Sequence, residues 1–166
     1  RYLCCEFAIN GWLVTYMMHK NMSMTFSQSM AALLWVVMLT GRLICVWLSR
    51  YVNEKKILLV LALGSSIFFG FMLKSEGKVF IALSVASVGL FMSGISPLIY
   101  ASSAKYTNKY PLAMGILFTV GCMGGTLMPL TTGIIAEHFG FTAGMSAILV
   151  TFLLLLVFAI LYMKRE

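Results

Sequence analysis

Long apolar stretches alternate with short polar connections along the whole chain. The ranges 21–41, 57–73, 79–104, 110–136 and 139–163 contain no Asp, Glu, Lys or Arg, and Glu6 is the only charge between residues 2 and 18. A helix needs about 20 apolar residues to cross the hydrocarbon core of a bilayer, which is roughly 30 Å thick. The pattern therefore indicates an integral membrane protein that crosses the bilayer several times.

These stretches are predicted to be helices. Inside lipid every backbone polar group must be bonded within the protein, which leaves helices or a closed barrel. Barrel strands would alternate strictly over about ten residues, and runs such as AILVTFLLLLVFAILYM do not. We predict an all-α bundle of six transmembrane helices, forming a single domain over residues 1–166. The predicted spans are 2–18, 28–48, 57–73, 79–102, 112–136 and 141–163.

The composition agrees with a lipid environment. Hydrophobic residues make up 61% of the chain and charged residues 10%, whereas a soluble domain has roughly 25% charged residues. The net charge of +7 is interpreted as membrane topology rather than nucleic-acid binding, because the basic residues cluster in the connections. The four cysteines lie in apolar spans without metal-ligand spacing, so we predict no metal and no cofactor. They are Cys4, Cys5, Cys45 and Cys122.

The basic residues also predict the orientation. Short connections make neighbouring spans antiparallel and place both termini on one face. That face carries eight basic residues outside the spans, and the opposite face carries three. By the positive-inside rule, both termini are cytoplasmic in a multi-pass protein of the cell membrane. The eight are Arg1, Arg50, Lys55, Lys56, Lys105, Lys109, Lys164 and Arg165; the three are Lys20, Lys74 and Lys78.

Two charges fall well inside predicted spans, where charge is costly and indicates function. Glu6 is 12 residues from Met18, about 18 Å, and Arg42 is 14 residues beyond Gln28, about 21 Å at 1.5 Å per residue. Their similar depth on adjacent antiparallel helices allows an ion pair. Separate snorkelling of the two charges remains the alternative. Asn10 lies one turn from Glu6 on the same helix face.

Breaker residues mark two of the spans. The fifth contains Gly121, Gly124, Gly125 and Pro129, and the fourth contains Pro97. Glycines four apart let helix backbones approach closely in lipid, and breakers are tolerated where neighbours satisfy the freed carbonyls. The fifth span is therefore either a tightly packed helix or one that bends and slides.

Two motifs resemble those of the major facilitator superfamily, whose carriers consist of two six-helix bundles. Gly41-Arg42-Leu43, followed by Arg50 and Lys55-Lys56, is similar to the basic cytoplasmic loop motif of its C-terminal half, although Ser49 stands where an acid usually precedes the arginine. The glycine-rich fifth span is similar to the eleventh helix. The resemblance implies one half of a twelve-helix fold, with an N-terminal six-helix half as its partner and with helices one, two, four and five lining a cavity.

The first span resembles the seventh helix of fucose-permease-like sugar–proton symporters, through Glu6, Asn10 and Trp12. That resemblance implies a small polar solute, with a sugar as one candidate. Trp12, Trp35 and Tyr100 either line the solute path or pack against neighbouring helices. The candidate substrate-binding residues are Glu6, Asn10, Trp12, Trp35 and Tyr100.

The function predicted from these features is secondary active transport, by symport or antiport, through alternating access. Glu6 either couples proton movement to the solute or is locked to Arg42. A non-transporting membrane scaffold and a truncated carrier fragment remain alternatives. An intramembrane enzyme would need paired acids, histidines or a serine–histidine pair within the spans, and His19 and His138 both fall in connections. We therefore predict that the protein is not an enzyme.

The charge asymmetry predicts which connections an impermeant thiol reagent reaches in intact cells. In a background without the native cysteines, Ser75→Cys should be labelled from outside and Asn53→Cys should not, because the eight-residue basic face is cytoplasmic. Permeabilised cells provide the control in which both sites react. Labelling of Asn53→Cys and not of Ser75→Cys in intact cells would show that the orientation is opposite to the predicted one.

Overall fold

The computed structural model describes the backbone of residues 2–107 and 111–164, together with the side chains of residues 3–102, 112 and 115–164. All regular structure in these residues is helical, which confirms the all-α prediction. The helices are α1 (Tyr2–His19), α2 (Met24–Leu48), α3 (Glu54–Lys74), α4 (Lys78–Ser93), α5 (Ile95–Thr107), α6 (Pro111–Phe139) and α7 (Phe141–Lys164). Arg1, Lys109 and Arg165 and the Lys105 side chain, all counted in the charge asymmetry, lie outside what is described.

Within the part of the chain that the structure describes, five helical segments are long and apolar enough to cross a membrane, and α4 and α5 together supply one of them, Lys78–Ser102. The helix α1 is not one of the five. Its 18 residues include Glu6, Asn10 and His19, and it buries its apolar face against α2, α6 and α7. Membrane crossing by α1 therefore remains a prediction.

Two helices begin earlier in the chain than the apolar pattern predicts, because polar residues cap them. The helix α2 begins at Met24 instead of residue 28, because Ser23 caps it by accepting a hydrogen bond from the Phe26 amide. Likewise α3 begins at Glu54 instead of residue 57, because the Asn53 side chain accepts from the Lys55 amide at 3.0 Å. Such caps satisfy the orphan amides of a first turn, which extends the helix beyond its apolar run.

The predicted single helix over 79–102 is in fact two helices separated at Gly94. Pro97 has no N–H group, so the Ser93 carbonyl loses its usual helical partner, and helices commonly break at such a point. Gly94 is buried, and a Cβ atom there would collide with Cys45 and Leu61. The weak point that the sequence suggested near Pro97 is thus a break packed against α2 and α3.

The predicted close contact through Gly121 and Gly125 takes a different form. A Cβ atom at Gly121 would meet the Leu3 side chain, and one at Gly125 would meet the Phe7 ring, 2.8 Å away. Gly124 similarly faces the Cys4 sulfur. These α6 glycines therefore accept side chains of α1 and do not bring two backbones together.

The close backbone approaches lie elsewhere in the bundle. A Cβ atom at Gly144 of α7 would lie 2.8 Å from the carbonyl oxygen of Thr132 on α6. At the crossing of α2 and α4, Gly41 faces the Leu90 carbonyl at 3.1 Å and Gly89 faces the Leu34 carbonyl at 3.2 Å. These glycines permit the tight contacts that set the depth of α2 and α7.

Replacing Gly144 with alanine should destabilise the bundle, since the new methyl group would push against a backbone carbonyl that has little room to move. We expect Gly144→Ala to cost about 1–3 kcal/mol, the usual cost of overpacking, and to lower the unfolding midpoint in detergent. Gly115→Ala is the matched control, because among the described residues no atom of a neighbouring segment lies within 4 Å of its Cβ position. Equal midpoints for the two variants would refute the close α6–α7 contact.

Candidate substrate cleft

The two charges within the bundle meet between α1 and α2. Arg42 Nη2 donates to Glu6 Oε1 at 3.2 Å, which is both a hydrogen bond and an ion pair. The Glu6 side chain is 11% exposed and that of Arg42 is 42% exposed. Of the two alternatives that the sequence left open, the structure shows the paired arrangement, with the carboxylate buried and the guanidinium facing outward.

The guanidinium is only partly satisfied by this contact. Arginine has five N–H donors in a planar fork, and the structure shows one of them bonded to Glu6. Among the side chains described, the buried Nε atom of Arg42 has no hydrogen-bond partner. Arg42 therefore retains donors beyond those that Glu6 uses.

The pair lies at the wall of a cleft of about 470 Å³, to which α1, α2, α5 and α6 all contribute. Tyr100 of α5 packs beside Phe118 of α6, with ring centroids 6.1 Å apart. Polar groups other than the pair come from Ser96, Tyr100 and Cys122. The lining residues are Leu3, Glu6, Phe7, Arg42, Val46, Ser96, Pro97, Tyr100, Phe118 and Cys122. Of the predicted substrate-binding residues, this cleft brings together Glu6 and Tyr100.

Asn10 lies outside the cleft lining. Its Nδ2 donates to the backbone carbonyl of Glu6 at 2.8 Å, so the amide is bonded within its own helix. Asn10 thus does not join the Glu6 carboxylate in this cleft, and its role in substrate binding stays a prediction.

Trp12 has a packing role. Its Nε1 donates to the Pro129 carbonyl at 2.9 Å, and its ring meets Phe141 edge to face at 5.6 Å between centroids. Gly133 leaves room for the indole, since a Cβ atom there would lie 2.9 Å from it. Trp12 thus joins α1 to α6 at Pro129, which lies in the interior of α6. It does not line the cleft.

Trp35 is 53% exposed and also lies outside the cleft. It precedes Arg42 by seven residues, which places both on the same side of α2. Its ring faces outward from the bundle at a different depth from the ion pair.

The members of the predicted cytoplasmic loop motif separate in space. Gly41 is buried inside α2 against α4, and Arg42 lies in the cleft. Only Arg50 falls in a connection, while Lys55 and Lys56 lie in the first turn of α3. Lys55 Nζ lies 5.3 Å from the centre of the Tyr162 ring of α7. Gly41 and Arg42 lie within α2, which ends at Leu48 as the predicted span 28–48 does, and the role of these residues as a cytoplasmic motif stays a prediction.

Several lining residues had no signal of their own in the sequence. Phe7, Phe118 and Cys122 are apolar or weakly polar residues in apolar runs, and only the packing of α1 against α6 places them here. Ser96 lies next to Pro97, so the break in the fourth span was the one available clue to its position.

Comparisons with known proteins agree with this architecture. The family model described as Major Facilitator Superfamily matches residues 2–166. Protein TsgA of Escherichia coli O6:K15:H31 (strain 536 / UPEC) is 24% identical over 140 residues, covering 84% of this chain and 35% of that protein. The chain thus aligns with about a third of the length of that relative. Because the family model covers nearly every residue, the chain belongs to the major facilitator superfamily.

Proposed function

We propose that the chain forms the C-terminal six-helix half of a secondary active transporter that moves a small polar solute by alternating access. One observation carries this proposal: Glu6, Arg42, Ser96 and Tyr100 line one cleft of the bundle. Charges inside membrane helices are expensive and typically mark solute or ion pathways. Members of this superfamily are transporters, so the proposed function is solute transport and not catalysis.

The cleft is suited to be one wall of an alternating-access cavity. Four helices line it, and an N-terminal six-helix half would supply the opposite wall, as in carriers built from two repeated bundles. The α5 part of the wall follows the break at Gly94, so it can tilt relative to α4 without bending a continuous helix. We propose that this tilt accompanies opening and closing.

Proton coupling is the finer part of the proposal. Glu6 is the acid at the cleft, and a single contact to Arg42 holds it. A proton on Glu6 would remove its charge and release the guanidinium. The hydroxyls of Ser96 and Tyr100 can bond a polar solute, and a sugar remains one candidate. Both termini would lie in the cytoplasm of a cell-membrane carrier, as the basic connections suggest.

Reconstitution tests the two-half proposal. Liposomes containing residues 1–166 alone should show no solute uptake above empty vesicles, because one bundle supplies one wall. The same residues within a complete carrier should restore saturable uptake. Uptake by the 166-residue chain alone would contradict the need for a second half, and a complete carrier inactive toward a broad solute panel would favour a scaffold.

A double-mutant cycle tests whether the Glu6–Arg42 contact contributes as a pair. Glu6→Gln and Arg42→Met should each lower stability, since each strands a charge, and the double variant should recover most of the loss. Fully buried pairs lose about 3–5 kcal/mol in such single variants; the exposure of Arg42 reduces the expectation to about 1–3 kcal/mol. Unfolding midpoints in detergent provide the readout. Effects that add within about 0.5 kcal/mol would rule out an energetic pair.

A further inference from the structure

We propose that the cleft takes an organic carboxylate, which displaces the Glu6 carboxylate from Arg42. This inference rests on the proposed transport function and names the class of its solute. It follows from which charge the cleft presents, from the donors that Arg42 leaves unused, and from the nature of the remaining walls.

The cleft presents the cation more than the anion. The Arg42 side chain is 42% exposed and the Glu6 side chain only 11%, so an entering molecule meets the guanidinium first. A solute that offers an anionic group gains a charge-assisted hydrogen bond there, which is about twice as strong as a neutral one. A neutral polyol hydroxyl can accept from the guanidinium, but it cannot add the ion pair that a carboxylate forms.

The unused donors of Arg42 support the same solute. Glu6 engages Nη2 through one oxygen, and the buried Nε has no partner among the described side chains. Carboxylates are recognised by arginine through two parallel N–H donors. Glu6 accepts from one terminal nitrogen of the fork, so a solute carboxylate that displaces Glu6 could bond both terminal nitrogens, while the buried Nε lies out of its reach.

The other walls point to an organic body and not to an inorganic anion. Leu3, Phe7, Val46 and Phe118 line the cleft beside Arg42. An apolar chain attached to the carboxylate would cover these side chains and remove them from water. The titratable groups around Glu6 are Arg42 of α2, Tyr100 of α5 and Cys122 of α6, and Arg42 is the cation among them.

Arginine modification reads binding directly at Arg42. Phenylglyoxal would be applied to the complete carrier in membranes, and mass spectrometry of the Arg42 peptide would give the modified fraction. We expect hexanoate to protect Arg42, hexanamide of the same size to leave it reactive, and sodium chloride at equal ionic strength to have no effect. Equal protection by the amide or by chloride would overturn the proposal, as would no protection by hexanoate.

Two variants test the displacement of Glu6. In Glu6→Gln the internal competitor is gone, so the half-protecting hexanoate concentration should fall about tenfold, equivalent to 1.4 kcal/mol. Glu54→Gln changes the same chemical group in the first turn of α3, outside the cleft, and should leave that concentration unchanged. An unchanged concentration in a folded Glu6→Gln carrier would overturn the displacement.

The experiments can distinguish failure of the carboxylate proposal from failure of the transport proposal. Hexanoate protection in a carrier that takes up nothing would support the carboxylate site and count against the transport function. Uptake of neutral solutes without hexanoate protection would support transport and overturn the carboxylate class.

Discussion

The contact between Glu6 and Arg42 is the polar constraint between α1 and α2, two of the four helices that line the cleft. A carboxylate buried alone in an apolar bundle is strongly destabilising, so Glu6 needs a partner within bonding distance, and the half-exposed Arg42 supplies it. Gly41 brings α2 close to the α4 backbone at Leu90, and Arg42 is the next residue. The depth of the guanidinium is thus fixed by a glycine contact one position away.

Two contacts hold α1, and with it Glu6, in position. Near its middle, Trp12 donates to the Pro129 carbonyl and joins α1 to α6. Just beyond its far end, Lys20 Nζ donates to the carbonyl of Leu73 in the last turn of α3 at 3.0 Å and to that of the C-cap Ser75 at 2.9 Å. A cation at a helix C-terminus also interacts favourably with the helix dipole. The α1 wall of the cleft is therefore held firmly, while the α5 wall follows a break.

The sequence predicted the features that depend on one segment or on depth. Apolar runs gave the helices, and residue counts along α1 and α2 gave the matched depth of Glu6 and Arg42. The sequence did not predict the contacts between segments that are distant in the chain. Nothing near Trp12 in the chain indicates that its partner is the Pro129 carbonyl, 117 residues away. Similarly, Gly121 and Gly125 have the familiar small-residue spacing, yet the lone Gly144 makes the closest approach to a neighbouring backbone.

Stability alone does not account for an ion pair at this position. Replacing a buried pair with well-packed apolar residues is often neutral or stabilising, because desolvation offsets the attraction between the charges. The Glu6–Arg42 pair makes one contact and leaves the Arg42 Nε without a described partner, so it recovers less of that cost than a fully bonded pair would. A polar group with unused N–H donors can gain further hydrogen bonds from a ligand that accepts them. The incomplete bonding of Arg42 is therefore the feature that most directly connects the packing of this bundle with carriage of a solute.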